Sequence, residues 1–512
     1  MSTHHPLPVQ PGGVARKDRA PEPTPLNRRQ FIQGTAVASA AALLAGKAEA
    51  AGAAPARPLN VLLIGADDLN CSLGCYGHPI VRTPHLDALA GRSVRFDRAY
   101  CQFPLCTPSR SSMLTGARPN EVGVLDLGTH FRSKMPDAVT LPHLFRQHGY
   151  RVARAGKVFH QSYPEKTGEP GLDDPAAWER VADPRGWDCE NLGLVTNYTP
   201  ERAIGTALAN LAADAPDEAH TDALTASAVI GMMEEFRDRP FFLAAGFTRP
   251  HAPFIAPRKY FDLYPLEEIP PPPEHTEDLR DVPEIAQWTK PPHWGLGAEA
   301  QRQAIRGYYA SVSFLDAQVG RLIGALDRLG LAENTIVVLW SDHGFLLGEH
   351  GQWLKQSLFE QSARVPLMIA APGLGRGAAC HRVVESLDIY PTVAALAGLP
   401  VGPAVTGRSL VPLLRDPFAA WPHAAFTQVA RRDAFGGASL RTERWRYSEW
   451  GSHGDQGGEL YDHSADPLEY RNLADDPAWA TVRRKLSAQL RAKVPLAKAL
   501  PGAALGGAKA AR

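Results

Sequence analysis

The chain has 512 residues, of which 44% are hydrophobic, and it carries 54 basic and 54 acidic residues. A chain of this length can bury a large core and is expected to divide into two domains. The zero formal net charge, with no block of lysines and arginines, argues against a nucleic-acid-binding protein. The six cysteines are too few for a disulfide scaffold of this size.

The N-terminal segment has the features of an export signal. Two arginines within residues 27–33 precede a weakly apolar stretch, residues 34–46, and residues 48–50 form a small-x-small cleavage signature. The pattern resembles a twin-arginine signal peptide over residues 1–50, with an ordinary secretion signal as the alternative. The apolar stretch is too short to span a bilayer, which needs about 20 residues, and no later stretch is long enough. We therefore expect a periplasmic or secreted protein that uses the twin-arginine export machinery and has no integral membrane segment.

Three short apolar runs predict strands that are buried on both faces of a parallel sheet. They cover residues 60–66, 240–247 and 335–340. Apolar residues keep helical spacing over residues 311–329, and Gly330 follows as a C-cap, so a helix is expected before the third strand. A helix followed by a buried strand predicts an α/β layer architecture.

Polar residues follow each of these strands. Asp67 and Asp68 follow the first strand, His251 the second, and Asp342 and His343 the third. Because ligands in open α/β sheets bind beyond the carboxyl ends of strands, we expect these side chains to share one cleft. Adjacent acids repel each other unless a cation or hydrogen-bond donors compensate, so the pattern indicates either a metal site or acidic turns. Oxygen-rich ligation favours Ca²⁺ or Mg²⁺ over zinc.

A further motif occupies residues 106–116, which read Cys-Thr-Pro-Ser-Arg-Ser-Ser-Met-Leu-Thr-Gly. Pro108 suits the first turn of a helix, so Cys106 is expected just ahead of a helix N-terminus. The free N–H groups of such an end, together with the donors of Arg110, favour an oxyanion. An ordinary buried thiol is the alternative interpretation of Cys106.

This motif resembles the Cys-x-Pro-Ser-Arg-x-x-x-Leu-Thr-Gly pattern of the type I sulfatases. The resemblance implies an alkaline-phosphatase/sulfatase-like α/β sandwich with a large mixed, mostly parallel sheet flanked by helices, plus a smaller C-terminal α+β domain. It also implies that a formylglycine-generating enzyme converts Cys106 to Cα-formylglycine, whose hydrate attacks a sulfate ester beside a divalent metal. The metal would be Ca²⁺, with Mg²⁺ as the alternative, and the implied ligands are Asp67, Asp68, Cys106, Asp342 and His343.

The resemblance also implies the remaining catalytic residues. Lys157 and Lys355 would bind sulfate oxygens, and His160 and His251 would move protons. His251 is assigned to the leaving group and His160 to the hydrate, although the reverse assignment stays open. The catalytic set is Cys106, Arg110, Lys157, His160, His251 and Lys355.

Several segments, among them residues 67–69, 73–77 and 249–254, resemble iduronate-2-sulfatase, which implies a 2-O-sulfated uronate or another sulfated sugar as substrate. Arg249 stands where the iduronate enzyme has lysine, and we expect this departure to lie at the substrate mouth. Residues 161–215 show little periodicity and predict long loops that shape the same mouth.

The predicted division is a catalytic α/β domain over residues 57–399, a C-terminal α+β domain over residues 400–500 and a flexible tail over residues 501–512. Two other functions stay open from the sequence. One is a phosphonate monoester or phosphodiester hydrolase of the same superfamily, and the other is a catalytically silent carbohydrate-binding protein.

Overall fold

The computed structural model describes residues 58–273, 278–431 and 436–494. The predicted signal peptide, residues 1–50, and the predicted tail, residues 501–512, lie outside the described residues. The strands are β1 Asn60–Asp67, β2 Val94–Tyr100, β3 Arg151–Gly156, β4 Arg180–Ala182, β5 Thr196–Asn197, β6 Ala209–Ala213, β7 Phe241–Pro250, β8 Phe254–Pro257, β9 Thr335–Ser341, β10 Leu346–Leu347, β11 Trp353–Leu354, β12 Arg364–Ala370, β13 Ala378–Glu385, β14 Ala425–Val429, β15 Gly437–Arg441, β16 Trp445–Trp450 and β17 Gly458–Asp462.

The helices of seven or more residues are α1 Pro84–Ala90, α2 Cys106–Thr115, α3 Leu141–Gln147, α4 Thr221–Phe236, α5 Ala298–Arg328, α6 Ile389–Leu396 and α7 Ala480–Lys493. Shorter α-helical turns lie at Pro119–Val122, Trp187–Glu190, Arg258–Phe261, Glu360–Ala363 and Val411–Arg415.

A large sheet has the strand order β13-β2-β12-β9-β1-β7-β3-β4. β1 pairs in parallel with both β7 and β9, and β3 continues this direction, whereas β12 runs antiparallel to its neighbours β9 and β2. Every residue of β1, β7 and β9 is buried. The three strands predicted from apolar runs are therefore confirmed, and their carboxyl ends lie at one edge of the sheet.

Both faces of this sheet are covered. Leu62 and Ile64 of β1 join a core that includes residues of α4 and α5, whereas Val61 and Leu63 join a core that includes residues of α2, α3 and α6. Alternate side chains of one strand thus pack on opposite layers, as expected for a parallel sheet between helices. The α/β sandwich that the sequence predicted is confirmed.

Helix α5 is longer than the sequence analysis predicted. It begins at Ala298 rather than near residue 311, and its additional turns bury Ile305 and Tyr308. The prediction missed these turns because it counted aliphatic spacing, whereas here small and aromatic residues also pack against the sheet. Gly330 has a φ of +66°, so it takes the left-handed conformation expected after a helix end.

A second, four-stranded antiparallel sheet has the order β14-β15-β16-β17. Leu486 and Leu490 of α7 pack with its apolar residues, which include Leu440 and Leu460. The smaller C-terminal α+β domain is therefore confirmed, while its boundary near residue 400 stays a prediction. Within the described ranges, no helix is long and apolar enough to cross a bilayer.

Candidate active site

Helix α2 begins at Cys106 itself, one position earlier than predicted, and every residue of the helix is buried. The Sγ atom of Cys106 lies 3.2 Å from Nζ of Lys355, 3.4 Å from Oδ1 of Asp67 and 3.4 Å from Nε2 of His343. Burial alone would raise the pKa of this thiol, but Lys355, Lys157 and His343 hold it well below its usual value. Cys106 therefore lies at the centre of a highly polar buried site.

Three carboxylates surround Cys106 at the carboxyl ends of β1 and β9. Asp67, Asp68 and Asp342 are 0%, 1% and 0% exposed. Lys157 donates a short hydrogen bond to Asp67, and Lys355 Nζ donates to Asp68 Oδ1 over 2.5 Å. These two cations partly offset the repulsion between the buried carboxylates.

The ionisation of these carboxylates differs from that of ordinary aspartates. Burial and the charge of Cys106 oppose ionisation of Asp67, yet Lys157, His251 and Arg110 hold its pKa well below the usual range. For Asp342, burial raises the pKa to about 7, despite the nearby guanidinium of Arg110. A further positive charge in this cluster would favour its ionised form.

Ligand atoms from two overlapping sets lie close enough together to hold one metal ion. In each set these atoms are within 4.8 Å of one another, and the sets are Asp67, Asp68, Cys106 and His251, and Asp67, Cys106, Asp342 and His343. All five predicted metal ligands are thus brought together, and His251 joins them. Carboxylate oxygens dominate the donors, which suits a hard divalent cation. The side chains form a possible metal-binding cluster.

Arg110 is directed at protein acceptors. Its Nε donates to Asp342 Oδ2 over 2.9 Å, and Nη1 donates to the carbonyl oxygens of Lys157 and Val158 over 2.6 and 3.1 Å. Nη2 donates to the carbonyl oxygen of Ala66 over 3.3 Å. The guanidinium therefore joins the ends of β1, β3 and β9 around the carboxylates.

The two predicted proton-transfer residues also face this cluster. His251 Nδ1 lies 2.7 Å from the carbonyl oxygen of Ala252, which can only accept, so Nδ1 carries the hydrogen. Its Nε2 faces Asp68 Oδ2 at 3.9 Å. His160 is held by burial below its usual pKa, against the opposing effect of a hydrogen bond with Cys106. Among the described residues, Nδ1 of His160 has no hydrogen-bond partner.

Lys355 is presented by an unusual stretch of backbone. Its neighbours Leu354 and Gln356 have φ angles of +70° and +67°, and Asp68, its carboxylate partner, has a φ of +66°. Non-glycine residues adopt this conformation only where surrounding contacts impose it. Packing around these segments therefore helps to place both Lys355 and Asp68.

Arg249 is not at the substrate mouth, contrary to the sequence-based expectation. It is 1% exposed, and its Nη2 donates to Tyr163 Oη over 2.5 Å and to Asp188 Oδ2 over 2.6 Å. The ring of Tyr163 meets the ring of His251 edge to face at 5.9 Å. Tyr163 and Asp188 come from the segment predicted as long loops, where no periodicity marked them, so the sequence analysis missed them.

Comparisons with known proteins agree with this geometry. The sulfatase family model matches residues 59–399, and the model of the N-sulphoglucosamine sulphohydrolase C-terminal region matches residues 348–495. The model of the twin-arginine translocation signal sequence matches residues 25–45, which lie outside the described residues. The predicted export signal is therefore confirmed, and the protein is directed to the periplasm or the exterior.

Relatives cover most of the chain. A sulfatase of Formosa agariphila is 33% identical over 81% of this chain and 83% of its own, and the iduronate 2-sulfatase of Mus musculus is 32% identical over 89% and 98%. The crystal structure of the phosphonate monoester hydrolase of Agrobacterium radiobacter has a TM-score of 0.73 at 24% identity, over 85% of this chain and 95% of that one, and shows the shared fold. The chain belongs to the sulfatase family, a family of sulfuric ester hydrolases.

Proposed function

We propose that this protein hydrolyses the sulfate ester of a sulfated sugar, with a 2-O-sulfated uronate as the first candidate. The convergence of Lys355, Asp67 and His343 on Sγ of Cys106 carries the proposal. The similarity to mouse iduronate 2-sulfatase, which extends over 98% of that protein, supports the choice of sugar.

Cys106 is the proposed site of conversion to Cα-formylglycine by a formylglycine-generating enzyme. As a hydrate, that group would supply one hydroxyl to attack sulfur and a second whose deprotonation releases sulfate. The thiol in the structure stands where the modified side chain would be. Its burial among cations favours an anionic oxygen at this position.

The residues fit a divalent metal, which we propose to be Ca²⁺, with Mg²⁺ as the alternative. Asp67, Asp68, Asp342 and His343 would hold it together with the side chain at position 106. Three buried carboxylates are otherwise balanced only in part, because burial keeps the pKa of Asp342 near 7. When bound, the ion would polarise a sulfate oxygen.

The cationic residues would bind and orient the sulfate group. Lys355 and Lys157 contact Asp68 and Asp67 in the structure, and their ammonium groups border the space around Cys106. There they would stabilise the negative charge that shifts between sulfate oxygens during transfer. Arg110 would orient the carboxylate of Asp342.

The two histidines would transfer protons on different sides of the reacting group. His251 holds its Nδ1 hydrogen against Ala252, so Nε2 is the atom that would protonate the leaving alcohol. His160 is kept neutral by burial and faces Cys106, so it would accept a proton from the hydrate. The proton would thus leave one side of the site and enter the other.

The test begins with the modification. Protein secreted by the native host is digested with trypsin, and the peptide of residues 99–110 is weighed. Loss of the thiol in favour of the aldehyde supports the proposed nucleophile. A peptide present entirely as the thiol contradicts it and favours the silent carbohydrate-binding protein.

Turnover is then compared on three substrates: a 2-O-sulfated uronate disaccharide, an aryl sulfate and an aryl phosphonate monoester. The Cys106→Ala variant controls for contaminating enzymes. We expect sulfate esters to be preferred, with the disaccharide the best among them. Preference for the phosphonate would instead favour the phosphorus hydrolase, whose fold this chain shares.

A further inference from the structure

Arg431, which follows β14 in the C-terminal part of the chain, reaches toward the catalytic loops. Its Nη1 donates to the carbonyl oxygen of Gln356 over 3.0 Å, and its Nε donates to that of Ile285 over 3.0 Å. The guanidinium lies 4.9 Å from the centroid of the Trp450 ring and 5.5 Å from that of Trp288. Burial lowers its pKa to about 10, against the opposing charge of Glu459.

Gln356 links this arginine to the catalytic cysteine. While its carbonyl oxygen accepts from Arg431, its backbone N–H donates to the carbonyl oxygen of Pro104 over 3.1 Å, two residues before Cys106. Both peptide groups that flank the Cα atom of Gln356 are therefore held. These two bonds keep a non-glycine residue in the left-handed conformation, with φ at +67°.

Lys355 lies directly before this held residue. Its backbone is bounded by two left-handed residues, and its Nζ reaches both Asp68 and Cys106. A return of Gln356 to a common backbone conformation would turn the adjoining peptide and draw the ammonium group away from the cysteine. The position of Lys355 therefore depends on whatever holds Gln356.

The C-terminal sheet supports the same loops at two other points. In β14, the hydroxyl of Thr427 donates to the carbonyl oxygen of Cys101 over 2.7 Å, and the N–H of Gln428 donates to that of Gln102 over 2.9 Å. These contacts hold the segment that leads to Cys106. Arg431 extends this support from the cysteine loop to the lysine loop.

We propose that Arg431 is a positioning residue that fixes the Gln356 carbonyl group and thereby holds the ammonium group of Lys355 against Cys106. The inference rests on the proposed function, because it takes Lys355 to bind the sulfate group. It assigns to the C-terminal sheet a direct part in building the catalytic site.

The test uses the full-length, modified protein and two variants, Arg431→Met and Arg431→Lys. The matched control is Arg446→Met, because Arg446 is also a buried arginine of the C-terminal sheet but binds Glu360 and Glu469 instead of a catalytic loop. Circular dichroism and the formylglycine content give the folded, modified fraction, to which all rates are normalised. If Arg431→Met does not fold, Arg431→Lys carries the comparison.

The first measurement is hydrogen exchange of the peptide that contains Gln356. We expect the Gln356 amide to exchange faster in Arg431→Met than in the wild type or in Arg446→Met. The second is turnover of an aryl sulfate, where kcat/KM should fall roughly 10- to 100-fold, since small misplacements of catalytic groups have effects of this size. Added guanidinium ion should restore part of the activity of Arg431→Ala but none of that of Arg446→Ala.

Unchanged exchange at Gln356 in a folded Arg431 variant would overturn the proposal, whatever the activity. A normalised kcat/KM equal to that of the wild type would overturn it as well. If the wild type turns over no sulfate ester while the exchange at Gln356 still rises, the proposed function fails and the positioning of the lysine loop by Arg431 stands.

Discussion

Arg249 and Asp188 form an ion pair that is buried behind His251, with Nη2 and Oδ2 separated by 2.6 Å and each side chain only 1% exposed. Asp188 also accepts hydrogen bonds from the backbone N–H and the hydroxyl of Thr221, at the start of α4. Tyr163 completes the group, since its hydroxyl donates to Asp188 and its ring contacts that of His251. A loop, a helix start and a strand end thus meet beside a proposed proton donor.

Breaking this pair should destabilise the protein. Asp188→Asn keeps the size of the side chain but leaves the Arg249 cation buried without its carboxylate, so we expect the free energy of unfolding to fall by about 3–5 kcal/mol. Urea denaturation followed by fluorescence measures this change. Asp214→Asn is the control, because the pair of Asp214 with Arg258 is largely exposed and should contribute less than about 1 kcal/mol. Similar losses in both variants would contradict the interpretation.

Lys355 should be needed for turnover rather than for folding. Replacing it by methionine removes the ammonium group that lies 3.2 Å from Cys106, and we expect kcat to fall by about 10²–10³-fold, as for other charge-stabilising donors. Steady-state kinetics on an aryl sulfate gives the value. Lys259→Met should keep wild-type kinetics, because Lys259 is exposed and pairs with Asp217. An active Lys355→Met would remove the lysine from the proposed mechanism.

Removing divalent metal should abolish activity and lower the melting temperature. A ligand that binds only the folded state adds about 2.7 kcal/mol at 100 times its Kd, so the shift should follow the concentration of added Ca²⁺ or Mg²⁺. Calorimetry of chelated and reloaded protein provides the measurement. The Asp342→Asn variant should lose this dependence, because it lacks one of the buried carboxylates. Full activity after complete chelation would contradict a functional metal.

The stability of the protein should carry a pH dependence from Asp388, which is remote from the proposed metal ligands in the sequence. Burial and the nearby Glu385 raise its pKa to about 7, although N–H bonds from Glu385 and Arg408 oppose this rise. Between the unfolded pKa, near 4, and the folded pKa, the folded state keeps a proton that the unfolded state loses. Stability from this group therefore falls as pH rises, by up to about 1.4 kcal/mol per unit.

The variant Asp388→Asn should have lower stability at all pH values, because an amide accepts through one oxygen only, but it should lack this slope. Denaturation of both proteins at several pH values between 4 and 7 compares the slopes. Parallel stability curves would show that Asp388 does not titrate in this range.

The strands and the family could be predicted because their signals are local. The apolar runs that became β1, β7 and β9 are continuous in sequence, and the motif of residues 106–116 occupies one helix start. Helix α5 was predicted too short because its first turns bury small and aromatic residues against a sheet that the sequence alone does not show.

The sequence by itself determined which polar residues follow the buried strands, and hence that Asp67, His251 and Asp342 would meet at one edge of a sheet. Only the tertiary structure decided that Arg249 turns inward to Asp188, 61 positions earlier, and that Arg431 holds the carbonyl group of Gln356, 75 positions away. Apolar periodicity reports burial along one segment. The partner of a buried cation depends instead on how distant segments pack, because the cation pairs with whichever carboxylate or carbonyl group the fold brings within reach.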